Sequence, residues 1–233
     1  MIKKSLFFVM LFAMTGTAFA QVSFGVRAGV NFSNALSKDA NGNKYATSLL
    51  PGFNAGVTAE IPIADEFSVQ PGLLFSTKGA KRKETQSGMA ITANIAPNYL
   101  ELPVNFLFKP ALGKGNLLLG AGPYIAYGMG GNWKVKGSSG NTTVSRSGNL
   151  DFKNDISSAD SSNLNASTVK TLTYGKPLDL GVNLLLGYAF SKNISFQLNG
   201  QLGLLNTVPT VQGNKTGEVQ KNVQFGLSVG YKF

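Results

Sequence analysis

The most regular stretch of the sequence is Lys221-Asn-Val-Gln-Phe-Gly-Leu-Ser-Val-Gly-Tyr-Lys-Phe233, in which apolar residues alternate with small or polar ones. Successive side chains of a β-strand point to opposite faces, so this alternation predicts a strand with one apolar face that ends in Tyr231 and Phe233. A strand of a soluble sandwich alternates in the same way. The pattern of the remaining segments, which must supply the partners of this strand, therefore decides between the two folds.

The composition narrows the class of protein. The 233 residues include no Cys and no His, which excludes disulfides, thiolate and imidazole metal sites, and catalytic systems that depend on histidine. Only 14% of the residues are charged, whereas Gly occurs 28 times. This length suits a single all-β domain, and we expect neither a metal nor another cofactor.

Residues 1–20 have the features of a cleaved secretory signal peptide. Lys3 and Lys4 form a basic region, the apolar stretch 6–14 is too short to span a bilayer, and Ala18-Phe-Ala20 fits a cleavage site. We expect residues 21–233 to form one domain, in which no apolar run has the length of a spanning helix. Only helices and closed barrels satisfy every backbone polar group in lipid, so a membrane-embedded form of this domain must be a barrel.

Eight alternating segments are predicted as strands, and their connections are alternately long and short. The longest connection, 130–176, is rich in Ser, Asn, Gly and Thr and predicts a flexible extracellular loop. An even number of strands with short turns at one end is typical of an outer-membrane barrel, in which the turns are periplasmic and the long loops extracellular. The predicted fold is thus an all-β, eight-stranded, antiparallel up-and-down transmembrane barrel with strands at 22–32, 52–63, 67–78, 99–109, 116–129, 177–190, 194–205 and 221–233.

The heights of the aromatic residues distinguish this barrel from a soluble, lipocalin-like one, whose apolar faces would point inward. If all short turns lie at the periplasmic end of the barrel, Phe24, Phe106 and Phe233 lie near that end. Phe53 and Tyr127 then lie near the opposite end. Two aromatic girdles around an aliphatic band are what a lipid-facing exterior requires. Tyr231 and Phe233 then also form a candidate C-terminal insertion signal for the barrel-assembly machinery.

Several motifs resemble those of the PorT-like outer-membrane β-barrel family of Gram-negative bacteria. They are spread over nearly the whole predicted domain and comprise Phe24-Gly-Val-Arg-Ala-Gly-Val-Asn-Phe-Ser-Asn34, Tyr99-Leu-Glu-Leu-Pro-Val104, Gly120-Ala-Gly-Pro-Tyr124, Asp179-Leu-Gly-Val-Asn183 and Gly230-Tyr-Lys-Phe233. The resemblance implies an outer-membrane location. It does not imply the secretion role of the family's namesake, because the family is broad.

Three prolines lie inside predicted strands. Pro71, Pro103 and Pro123 lack the N–H that a strand donates to its neighbour, and a closed barrel has no free edge. We expect bulges or unpaired positions there.

The polar faces of the strands predict an interior network of Arg27, Glu60, Lys78, Glu101, Asp179 and Gln224. An eight-stranded barrel is just wide enough for its own side chains, which favours a hydrogen-bonded plug over a polar conduit or a catalytic carboxylate pair. With no histidine and no characteristic catalytic spacing, a non-enzymatic role is expected. A lipid-modifying enzyme and a small-solute channel are the less favoured readings.

The net charge of +10 comes largely from the predicted loops, where Lys81, Arg82 and Lys83 form the sharpest cluster. Above a membrane rim such a cluster favours contact with anionic lipid headgroups or lipopolysaccharide, although loop solubility explains it equally well. Nucleic acid is not an expected partner. The sequence thus indicates a structural or surface-interaction barrel, and the alternative is an accessory barrel of a secretion or surface-assembly machine that binds other surface proteins.

Overall fold

A computed structural model describes residues 22–86, 89–140, 142–157 and 170–233. The predicted signal peptide at 1–20 and the segment 158–169 of the predicted long loop lie outside these described residues. Within them, no helix is both long enough and apolar enough to cross a membrane.

The described residues form fifteen β-strands. In chain order they are β1 (Ser23–Lys38), β2 (Thr47–Ser48), β3 (Leu50–Ala64), β4 (Phe67–Thr77), β5 (Ala80–Gln86), β6 (Met89–Phe108), β7 (Ala111–Leu112), β8 (Gly115–Ser139), β9 (Thr142–Phe152), β10 (Asp155–Ile156), β11 (Thr171–Gly175), β12 (Leu178–Ala189), β13 (Ile194–Gly203), β14 (Thr210–Val211) and β15 (Val219–Lys232).

Eight of these strands close into a barrel, as the alternating sequence predicts. The order β1, β3, β4, β6, β8, β12, β13, β15 returns to β1, and every pair in this ring is antiparallel. The closing ladder between β1 and β15 runs from Gly25↔Lys232 to Lys38↔Val219. The barrel has a short-turn end, with the connections β3–β4, β6–β8 and β12–β13, and a long-loop end opposite to it.

The barrel wall presents its apolar side chains outward. On β12, Leu184 is 66% exposed, whereas its neighbours Asn183 and Leu185 are 6% and 4% exposed and face the interior. Aromatic side chains occur on the exterior at both ends, with Phe67 and Phe108 stacked at the short-turn end and Phe53 against Phe75 near the other. An apolar exterior is stable only in lipid, so this pattern matches the transmembrane barrel that the sequence predicts.

Beyond the long-loop end the sheet continues as an extension made of β5, β9, β11 and the outer halves of β6 and β8. The prediction of a loop over 130–176 is therefore wrong for most of its described residues, which are strand. The reason is that β6 and β8 stay paired past the rim, after a register shift between Asn98 and Tyr99, and offer hydrogen bonds to the next strands. At this junction Gly79 has a φ of +127°, and an added Cβ would lie 1.9 Å from the Ile95 carbonyl oxygen.

Of the two outcomes expected at the prolines, unpaired positions occur and bulges do not, because the register is constant through all three positions. Pairing between β4 and β6 keeps one register from Phe67↔Phe108 to Thr77↔Asn98, and that between β6 and β8 does so from Tyr99↔Gly128 to Phe108↔Leu119. Pairs are missing beside all three prolines, next to Pro71 between β3 and β4, next to Pro103 between β4 and β6, and next to Pro123 between β6 and β8. The missing N–H there removes a ladder bond without displacing the strand.

Apolar side chains fill the barrel interior at two levels. Toward the long-loop end, Tyr99, Tyr124 and Ala126 pack against Phe152 and Tyr174 of the extension. Leu107, Leu118 and Leu185 form a second cluster nearer the short-turn end. The polar side chains of the barrel interior lie between and around these two clusters.

Candidate functional site

The most deeply buried charges form an ion cluster around Lys78, the residue that follows β4. Its Nζ lies 2.9 Å from Glu101 Oε1 on β6 and 3.2 Å from Asp179 Oδ2 on β12. All three side chains are at most 1% exposed. Burial makes such charges costly unless they are paired, so this cluster ties three separate strands together.

Neutral groups complete the shell of the ion cluster. Tyr124 Oη and Asn222 Nδ2 donate to Asp179 Oδ2 over 3.2 and 2.9 Å, and Gln201 Nε2 donates to Glu101 Oε2 over 3.1 Å. Lys78 Nζ also lies 4.3 Å from the centre of the Tyr124 ring, a cation–π distance. With a cation and amide or phenol donors on each carboxylate, the arrangement holds the strands in place.

The sequence reading missed the two tyrosines of this shell. Tyr99, whose ring centre is 5.3 Å from Lys78 Nζ, is two residues from Glu101 and therefore shares its inward face. That spacing was the signal available for Tyr99. Tyr124 follows Pro123, and an expected bulge at that proline made the direction of the Tyr124 side chain hard to predict.

The other predicted interior residues lie apart from the ion cluster. Arg27 Nη1 donates to Asn199 Oδ1 over 3.3 Å, and Gln224 joins Asn31 and Ser76 in a group of amides and a hydroxyl. Glu60 lies near the short-turn end, where it pairs with Lys109 and, at 3.6 Å, with Lys232. The six residues predicted as one network thus occupy four separate groups.

The interior is not uniformly filled. A cavity of about 470 Å³, the short-turn cavity, is lined by the buried residues Arg27, Gln70 and Gln197 and by exposed turn residues including Lys114 and Lys192. Above it lies a void of only about 20 Å³, which Arg27 and Glu101 both line. The barrel is therefore blocked toward the long-loop end and open toward the short turns, where the sequence predicts complete packing.

The basic cluster Lys81-Arg82-Lys83 lies on β5 and not in an irregular loop, which corrects the expectation for this segment. Side chains of a strand alternate, so Arg82 points away from its two neighbours. It pairs with Glu84, and its guanidinium carbon lies 4.6 Å from the centre of the Tyr45 ring. The three basic side chains therefore do not lie on one face of the sheet.

Strand register assembles a different basic patch, which we name the lysine grid: Lys81, Lys83, Lys134 and Lys136. One row across the extension reads Lys81, Asn94, Lys134 and Ser147, and the next reads Lys83, Thr92, Lys136 and Ser145. Residues directly opposite one another share a face of the sheet, so the four ammonium groups stand together on about a 7 by 10 Å lattice with neutral residues between them.

The lysine grid faces outward from the barrel axis. Along β6, Thr92 and Asn94 share the face that continues into Leu100 and Leu102, which are 38% and 51% exposed on the lipid side of the wall. The opposite face carries Trp133, which is 7% exposed. The grid thus stands directly above the lipid-facing wall, and sequence patterns gave no reason to group Lys134 and Lys136 with β5.

Tyr231 and Phe233 lie on the exterior at the short-turn end, 46% and 73% exposed. Their ring centres are 5.4 Å apart, and the backbone N–H of Phe233 donates to the Phe24 carbonyl. This places both rings in the aromatic girdle, and their use as an insertion signal stays a prediction.

Comparison with known proteins places these features in a family. A family model described as outer membrane protein beta-barrel domain matches residues 19–209. Similar solved structures include Ail of Yersinia pestis in complex with the heparin analogue sucrose octasulfate (16% identity, TM-score 0.42, 91% of this chain and 99% of that chain covered). Others are Neisserial surface protein A (12%, 0.42, 91% and 99%) and a major outer membrane protein from Thermus thermophilus (12%, 0.41, 91% and 100%). No curated protein matches the sequence.

Proposed function

The chain belongs to the outer membrane protein β-barrel domain family and is an integral outer-membrane protein, and from that premise we propose that it is a non-enzymatic surface-interaction barrel. Its proposed ligand is the set of phosphate and carboxylate groups that lipopolysaccharide presents just above the lipid surface. The observation that carries the proposal is the outward position of the lysine grid. We also assign the chain to the PorT-like members of the family, on the motifs quoted above.

Charge and position both support this ligand. Three of the four grid lysines are exposed, and the remaining positions of the two rows are Asn, Thr and Ser, which hydrogen-bond to sugars and phosphates. A lysine near an anionic membrane surface contributes about 1 kcal/mol of attraction. Four such residues, whose backbone positions are fixed by the sheet, are placed to bind several phosphates at once.

The blocked interior supports a role on the surface. The ion cluster and the aromatic residues that pack above it close the long-loop end, so we propose that no continuous pore crosses the barrel.

The test is a titration of the protein, held in phosphatidylcholine nanodiscs, with purified lipopolysaccharide. Changing all four grid lysines to Gln should weaken binding at low salt at least tenfold, and the difference should shrink as ionic strength rises and shortens the screening length to about 8 Å. The matched control changes four exposed lysines outside the grid to Gln: Lys38, Lys44, Lys170 and Lys215. The two variants carry the same net charge.

Equal loss of affinity in the two variants would show that only net charge matters and would remove the grid from the proposal. Enzymatically dephosphorylated lipopolysaccharide should bind weakly to every form. A photoreactive residue in place of Asn94, which lies between Lys81 and Lys134, should crosslink to lipopolysaccharide in intact cells. Crosslinking to one specific protein would instead favour the accessory barrel of a secretion or surface-assembly machine.

A further inference from the structure

The short-turn cavity has the dimensions of a ligand site and opens at the end of the barrel opposite to the lysine grid. Its volume of about 470 Å³ lies within the range of roughly 300–1,000 Å³ that small-molecule sites occupy. Only about 20 Å³ of space lies beyond Arg27 before the ion cluster begins. The cavity is thus a blind pocket and not one end of a conduit.

Three buried polar side chains in its lining have atoms without partners. Among the residues that the structure describes, Arg27 Nε, Gln70 Oε1 and Gln197 Oε1 have no hydrogen-bond partner. The three residues are 7%, 9% and 6% exposed, and all line the cavity. Buried polar groups nearly always have partners, so one donor and two acceptors without partners on residues that line one cavity point to a ligand.

Arg27 also differs from the other interior cations in how its charge is compensated. Lys78 contacts two carboxylates, and Lys109 and Lys232 share Glu60. Within the described part of the chain, Arg27 makes no ion pair and bonds only to the Asn199 amide. A buried guanidinium in this setting is suited to bind an anion through its planar donors.

We propose that the short-turn cavity binds a small anion whose carboxylate or phosphate accepts from the Arg27 guanidinium and whose neighbouring N–H or O–H groups hydrogen-bond to the side chains of Gln70 and Gln197. This inference is independent of the lysine grid. The charged groups around the opening favour entry of an anion: the cavity is lined by Lys109, Lys114, Lys192 and Lys232 against Glu60 and Asp65.

Two kinds of compound present this chemistry, and they can be tested separately. Glycylglycine offers a carboxylate beside N–H donors, and glycerol 1-phosphate offers a phosphate beside O–H donors. Glycerol has the hydroxyls without the charge and serves as the uncharged control.

The experiment is NMR of the wild-type protein folded in detergent micelles. The chain contains three arginines, Arg27, Arg82 and Arg146, so the Arg27 Nε–H signal is readily assigned. At least one of the two anions should shift this signal and the side-chain amide signals of Gln70 and Gln197 in a saturable way. The Arg82 signal should not move, and glycerol should have no effect.

Variants then test whether Arg27 carries the binding. Arg27→Met should weaken binding about tenfold or more, because it removes a charged hydrogen-bond donor, whereas Arg27→Lys should keep part of the affinity. Lys215→Gln, at an exposed position outside the cavity lining, should leave the affinity unchanged. Heat-modifiability electrophoresis verifies that each variant is folded.

The proposal is overturned if neither anion shifts the Arg27 signal of the wild-type protein, because the cavity then holds only water. It is also overturned if folded Arg27→Met binds as tightly as wild type. If Arg27→Met does not fold, the shift of the Arg27 Nε–H signal in the wild-type protein still decides the test. Neither result depends on lipopolysaccharide binding by the lysine grid.

Discussion

Lys78→Met is the sharpest perturbation of the barrel interior. Methionine keeps the length and the apolar stem of the lysine side chain but removes the ammonium group. Glu101 and Asp179 then remain buried at 1% and 0% exposure with no cation in contact. Gln201, Tyr124 and Asn222 still donate to them, but amide and phenol donors supply no compensating charge.

Removing one member of a buried ion pair costs about 3–5 kcal/mol of unfolding free energy, because the partner is left charged and desolvated. We expect Lys78→Met to lose an amount of unfolding free energy within this range. The control Lys192→Met, at an exposed turn position, should stay within about 0.5 kcal/mol of wild type. Adding Glu101→Gln and Asp179→Asn to Lys78→Met should restore most of the stability, since replacing a whole buried charge group is often close to neutral.

Urea unfolding in lipid vesicles measures these differences. The single tryptophan, Trp133, reports on the extension, and heat-modifiability electrophoresis reports on the closed barrel. A Lys78→Met variant within about 1 kcal/mol of wild type would refute the account of the ion cluster, because its loss is expected to exceed that of a typical surface change. The account would also be refuted if the triple variant were no more stable than Lys78→Met alone.

Three further changes test the wall, the orientation and the junction with the extension. Leu227→Arg places a charge on the lipid face, where the leucine is 55% exposed, and should cost about 2–4 kcal/mol in vesicle unfolding; an unchanged urea midpoint would contradict the outward facing of β15. In the cysteine-free chain, Ser139→Cys should react with an impermeant thiol reagent on intact cells and Lys192→Cys should not, whereas equal labelling would contradict the orientation. Gly79→Ala should destabilise by about 3 kcal/mol or more, because its Cβ meets a carbonyl oxygen, while Gly42→Ala, with a φ of +85° and open space, should cost about 1 kcal/mol; similar losses would mean that the junction is not tightly packed.

The barrel wall could be predicted from the sequence because lipid on one side and side chains on the other impose a strict apolar–polar alternation. Asn183 and Leu184 illustrate this, since their opposite exposures follow directly from their chemistry. Lipid is absent beyond the rim, so the sense of the alternation reverses on β8: Lys134 and Lys136 lie on the outer face, whereas Trp133 lies on the inner face and is 7% exposed. The strands of the extension nevertheless form, because β6 and β8 extend a ladder already in register.

The grouping of interior residues could not be predicted for a different reason. Alternation assigns a residue to the inner face but does not give its height along the barrel axis. That height depends on the stagger of the strands, which is a property of the closed ring. Lys78, Glu101 and Asp179 meet because their strands are staggered to bring them to one level, and Glu60 lies at another level although it also faces inward.

The ladder between β1 and β15 also sets the order of events in folding. It joins positions roughly 200 residues apart. Closing a loop of that length costs roughly 5 kcal/mol of chain entropy before the paired strands contribute any stabilisation. Such non-local pairing makes folding slow. Until β15 pairs, β1 and β13 each have an open edge on which other chains can aggregate. The newly exported chain must therefore be kept apart from other chains throughout its transit, because its seven earlier barrel strands have no protected state of their own.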